Sequence, residues 1–141
     1  MREQSPAPRP VVGNGVRAIP ADVLPELIDA AGRAGLRVAR LALYGVTDKA
    51  TVLALFAAVM DFPQGLGGNW DALADALGDL SWLDAGGHVL ALDGLAELRA
   101  ADAGELDTLL DILDDVAITW AGLGVPFQVF LCDEALPLPP G

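Results

Sequence analysis

Asp71, Asp75 and Asp79 recur four residues apart in the stretch Gly67-Gly68-Asn69-Trp70-Asp71-Ala72-Leu73-Ala74-Asp75-Ala76-Leu77-Gly78-Asp79, which contains no Lys or Arg. On a helix, residues at that spacing are neighbours, about 5–6 Å apart at Cβ, so the three carboxylates share one face while Trp70, Leu73 and Leu77 turn toward a core. Like charges so placed cost roughly 0.2–0.5 kcal/mol per pair. The helix dipole favours Asp71 in the first turn, helps Asp75 less and opposes Asp79 near the C-terminus. A face that the fold does not need, and that costs it stability, is a candidate contact for a partner carrying positive charge.

Other chemistries available to these residues fit less well. Two carboxylates one turn apart can ligate Mg²⁺, as in the aspartate-rich motifs of prenyl transferases, but those enzymes need a much larger all-helical cavity, and no second motif or phosphate-binding cation lies nearby. Glycoside hydrolysis needs carboxylates on opposite sides of a cleft, roughly 5–9.5 Å apart, whereas Asp71 and Asp75 project from one side of one helix. His88 is the only histidine and opens an apolar run, and Ser81 and Cys132 lack an activating motif. The glycine-rich loop is not followed by the Gly-Lys-Ser/Thr of a P-loop. No catalytic residue, metal or cofactor is assigned. The bland alternative is a solvated helix face, the usual meaning of an isolated Asp-x-x-x-Asp. Against it stands the approach loop from Asp61 to Gly68, with one Pro and three Gly, which leaves backbone open for close contact with a macromolecule.

The elements that position this helix follow from periodicity. Residues 1–15 are rich in Pro and Gly and read as a tail. Pro20-Ala21-Asp22 can open a short helix through Ile28 and Ala31, an N-terminal appendage that ends before Gly32 or Gly35. Arg37 to Tyr44 reads as a buried strand ended by Gly45, and Thr47 or Asp48 then caps a helix carrying Val52, Leu55, Phe56, Val59 and Met60. Asn69 is the expected N-cap of the acidic helix. His88 to Leu92 and Phe127 to Leu131 supply two further strands. Between them an acidic segment leads into the clearest helix, with Leu106, Leu109, Leu110, Leu113, Val116, Ala117 and Trp120 on one side and Asp107, Asp111, Asp114 and Asp115 mostly on the other, which reads as a solvated face. Strands apolar on both faces, alternating with helices, predict an α/β fold: a small three-stranded parallel sheet packed by helices, with an N-terminal extension. The expected divisions are a tail and possible short helix over 1–36, one domain over 37–135, and a Pro-rich tail over 136–141.

Charge narrows the partner. The 141-residue chain carries −12, but residues 1–50 hold seven Lys and Arg against five acids, whereas residues 51–141 hold one Arg against fifteen acids. Nucleic-acid binding needs a basic surface that neutralises phosphates, and Arg99 alone cannot supply one beyond residue 50. A basic partner, or a divalent cation, fits far better. The longest apolar run, Val52 to Met60, has nine residues, about half of what spans a bilayer. The first ten residues contain no apolar signal core. The expected compartment is therefore the cytoplasm, with no membrane association. A single cysteine in an apolar run reads as a buried thiol.

Gly67-Gly68-Asn69-Trp70-Asp71-Ala72-Leu73-Ala74-Asp75-Ala76-Leu77, followed by strand, helix and strand, resembles the barstar family, inhibitors of the ribonuclease barnase. The pattern Gly-x-Asn-x-Asp-Ala-Leu-x-Asp-x-Leu is matched at every fixed position, and the resemblance runs from about Arg37 to Glu134. It implies a non-catalytic inhibitor, monomeric when free, whose loop and helix cover the phosphate-binding groups of a basic ribonuclease. Asp75 is then the central anchor, with Asp71 beside it and Gly67 and Asn69 shaping the loop. The wider contact set is Gly65, Trp70, Ala74, Gly78 and Asp79, and Asp102 to Glu105 resembles the family's second acidic contact. Three departures fall on this surface: Gly65-Leu66 replaces an aromatic pair, Gly68 an acid, and Ala74 a tryptophan. Buried aromatics often dominate an interface, so the alternative implied is a module of this fold that serves a different basic protein or toxin.

Overall fold

A computed structural model describes residues 14–64 and 68–132. The elements are β1 (Asn14–Ala18), a single 3₁₀ turn, α1 (Leu24–Arg33), β2 (Arg37–Ala42), α2 (Lys49–Val59), α3 (Trp70–Asp79), β3 (His88–Asp93), α4 (Ala96–Ala101), α5 (Ala103–Gly122) and β4 (Phe127–Leu131). All strand pairs are parallel, in the order β1-β4-β3-β2. The α/β class and the helix-covered parallel sheet stand as expected, but the sheet has four strands rather than three. The added strand is β1, which runs Asn14 to Ala18 along Phe127 to Leu131. Its five residues offer one large apolar side chain, Val16, so the sequence carries little strand signal. The strand exists through pairing with a β4 far away in the chain, a tertiary effect that overrides local pattern. Asn14 and Gly15, the end of the expected tail, belong to it.

Alternation along the strands divides the interior in two. On one face Ala39, Leu41, Leu90, Leu92, Phe127, Val129 and Leu131 meet Val52 and Phe56 of α2, Leu73 and Leu77 of α3, and Leu106, Leu109 and Leu113 of α5. On the other, Val89, Ala91, Phe130 and Cys132 lie under Leu24, Leu27 and Ala31 of α1. Burial on both faces explains why β3 and β4 are predominantly apolar, with Gln128 the one polar residue inside β4. The expected appendage therefore supplies the rear layer of this packing. Its helix extends to Arg33, past Gly32 and short of Gly35.

Two glycines fix the frame. Gly87, just before β3, would put a Cβ 2.7 Å from the Pro126 carbonyl oxygen, and Gly94, just after it, combines φ +78° with a virtual Cβ 2.5 Å from the Tyr44 nitrogen. Asp48 caps α2 by accepting a hydrogen bond from the Thr51 amide at 2.8 Å. That contact holds its carboxyl below the usual aspartate range. Among the described residues, no helix is long and apolar enough to cross a membrane.

Candidate functional site: an acidic face on two helices

The acidic helix begins where its cap predicts. Asn69 has extended backbone, and its side-chain oxygen accepts the Ala72 amide at 2.7 Å, satisfying one of the helix's orphan donors. Leu73, Ala76 and Leu77 are buried, whereas Asp71, Asp75 and Asp79 are exposed. None of the three carboxylates has an ion-pair partner among the described residues. Each ion pair found there lies elsewhere, as in Arg40–Asp93 at 3.2 Å. Ala74 and Gly78 are half-buried between the aspartates. Gly65 and Gly67 lie outside the described residues.

Helix α3 rests on α5, and indole hydrogen bonds join them near both ends. Trp70 Nε1 donates to Glu105 Oε1 at 3.1 Å, and Trp120 Nε1 donates to the Leu77 carbonyl oxygen at 2.8 Å. The helices therefore run in the same sense, start beside start. Asp102, an exposed residue, is the N-cap of α5 and accepts the Glu105 amide at 3.2 Å. Asp102 and Glu105 thus adjoin the beginning of α3, at Trp70, and the Glu105 carboxylate is already engaged by an indole. Asp75 and Asp79 face a different part of α5. An open groove between the helices is lined by Ala74, Asp75, Gly78 and Asp79 from α3 and by Asp115, Val116 and Thr119 from α5.

Asp115 and Thr119 were not foreseen at this surface. The sequence places them on the polar side of α5, but helical periodicity does not say which neighbour that side meets. Their i,i+4 spacing was the available signal. Trp82 is not among the residues that line the groove. Its Nε1 donates to the Met60 carbonyl oxygen at 2.9 Å and its ring meets Phe62 edge-on at 5.8 Å. His88 is buried and touches Trp120 and Phe127. Its pKa is lowered by desolvation and then by Arg37. Among the described residues, no group of three or more His, Cys, Asp or Glu is placed to hold a metal ion.

A short acidic helix packs on a parallel α/β sheet. The Barstar (barnase inhibitor) family model matches residues 36–132, and the chain belongs to that family. It is a family of inhibitors of a ribonuclease rather than of catalysts. Comparison with curated proteins gives no match. The matched span begins just before β2 and ends after β4, so β1 and α1 lie outside it.

Proposed function

We propose that this protein is a stoichiometric inhibitor of a basic ribonuclease and blocks its active site with the acidic face of α3. The observation that carries this reading is the exposure of Asp71, Asp75 and Asp79 on one helix, with no cation paired to them among the described residues, in a chain of an inhibitor family. Asp75 is the central anchor and Asp71 its neighbour. Their carboxylates take the place of substrate phosphates against Arg, Lys or His of the nuclease. Asn69 and the loop ahead of it, including Gly65 and Gly67, set the approach, and Trp70, Ala74, Gly78, Asp79, Asp102 and Glu105 complete the face. Because no group on this chain has to react, its role is occlusion. Opposite fields accelerate encounter and weaken in salt, as in the barnase–barstar pair. Such an inhibitor acts in the cytoplasm, protecting the producing cell before its nuclease leaves.

A second reading keeps the scaffold and changes the target. It is favoured by the small side of Ala74 and Gly78, half-buried between the aspartates, where the resemblance leads one to expect a tryptophan at position 74. Without an aromatic anchor there, the face suits a different basic protein or toxin. Titration of this protein against a barnase-type ribonuclease and a panel of other basic nucleases decides between the two. One-to-one inhibition of the first supports the inhibitor reading, and inhibition of another nuclease alone moves the target. Failure to inhibit any of them by a folded protein would sink both forms of nuclease inhibition.

A further inference from the structure

We infer that Glu105 is a positioning residue of the acidic face. Its carboxylate holds the Trp70 indole, which fixes the first turn of α3 and so the direction in which Asp71 and Asp75 are presented; it is not itself a contact to the partner. The inference rests on the inhibitor reading above and changes the part Glu105 plays in it.

Three observations support it. First, Trp70 follows the cap residue Asn69 directly, so it opens the first turn of the helix. Clamping that ring clamps the turn that aims the first aspartate. Second, Glu105 and Trp70 are both half-buried and lie 35 residues apart in sequence, with 3.1 Å between Oε1 and Nε1. The backbone amide of Glu105 is held in turn by the Asp102 cap, which anchors the carboxylate to the start of α5. Third, α3 has only ten residues, fewer than the roughly 12–15 at which an isolated helix is even marginal in water. Its like-charge stripe weakens it further. It therefore takes its rigidity from α5, through one indole reaching out from α3 at Trp70 and one reaching back from α5 at Trp120. A face held in its bound geometry before encounter loses less on binding, and the gain falls mainly in the dissociation rate. Asp71 and Asp75 are exposed, whereas one oxygen of Glu105 is committed inside the protein.

The test uses the full chain with Glu105→Ala, Glu105→Gln and Trp70→Phe. In the free protein, NMR follows solvent exchange of the Trp70 indole N–H and of the α3 amides. Stopped-flow measurements with a barnase-type ribonuclease follow association and dissociation separately. Glu105→Ala and Trp70→Phe are expected to speed α3 exchange and to raise the dissociation rate about tenfold, the scale of one hydrogen bond to a charged group. The double variant should be no worse than either single one, because both remove the same bond. Glu105→Gln keeps an acceptor oxygen and should recover most of both losses. The inference is overturned if Glu105→Gln dissociates as fast as Glu105→Ala while its indole stays protected, since the charge would then meet the partner directly. It is also overturned if Glu105→Ala leaves α3 exchange unchanged. Should the wild-type protein bind no ribonuclease, the inhibitor reading fails by itself. The exchange data then still decide whether Glu105 positions α3.

Discussion

Trp120 donates its indole hydrogen across 2.8 Å to the carbonyl oxygen of Leu77. That carbonyl lies in the last turn of α3, where helical geometry supplies no partner. The same indole stacks on Phe127, with centroids 6.4 Å apart and ring planes 4° from parallel. One side chain therefore packs the core and closes the end of the candidate binding helix. In Trp120→Phe the stacking surface largely remains, but the Leu77 carbonyl loses its donor. The expected cost is about 1–3 kcal/mol, the penalty for stranding a buried polar group, measured by urea denaturation. A variant as stable as the wild type would show that the hydrogen bond contributes nothing net.

Asp75 should separate binding from stability. Its side chain is exposed and has no ion-pair partner among the described residues, so Asp75→Ala should change unfolding free energy by no more than about 0.5 kcal/mol. Removing one like charge from the stripe relieves repulsion in the free helix. In complex with a basic ribonuclease the same change should cost roughly 2–5 kcal/mol, because it strands the partner's desolvated cation. Wild-type association should also slow as salt rises, since screening shortens to about 10 Å at 0.1 M. Inhibition constants and association rates at two salt concentrations, for both proteins, decide this. Equal inhibition by the two would remove Asp75 from the site.

Legibility differed between elements for physical reasons. Strands β3 and β4 are apolar on both faces because helices cover both, so Phe127 to Leu131 could be placed to the residue. The cap Asn69 was readable, and the α2 cap narrowed to Thr47 or Asp48, because capping is local chemistry between near neighbours. By contrast, β1 offers Gly15 and Arg17 beside Val16, and depends on an edge supplied by β4. The candidate face was half legible. Helical spacing alone puts Asp71, Asp75 and Asp79 together, but Asp115 and Thr119 reach the groove through packing of α5 against α3. The Trp70–Glu105 bond joins residues 35 apart in sequence, which no local spacing connects.

Cys132 should behave as a core group. It is buried beneath α1, and its thiol is pushed up to about 11, first by desolvation and then by Asp93, with partial relief from Arg40. Thiolate is the reactive form, so at pH 8 the native protein should react with a thiol reagent many times more slowly than the urea-unfolded chain. Rapid labelling of the native state would mean that the packing under α1 opens readily.

His88 makes the stability of this protein depend on pH in a narrow window. Its ring lies 5.9 Å from that of Trp120 and 6.1 Å from that of Phe127. Nδ1 is buried with no hydrogen-bond partner among the described residues. Desolvation, and then the Arg37 guanidinium, lower its pKa from 6.5. The folded protein thus prefers the neutral ring, and the unfolded chain binds the proton more tightly. Stability from the neutral ring is full above about pH 6.5 and declines as the pH falls below it toward the folded value. His88 is the only histidine, and histidine is the side chain whose ordinary range falls between about pH 5.5 and 7, so that window reports on this group. Denaturation at pH 7.5 and 5.5 should show the wild type losing stability while His88→Leu loses much less. The same slope in both proteins would place the titrating group elsewhere.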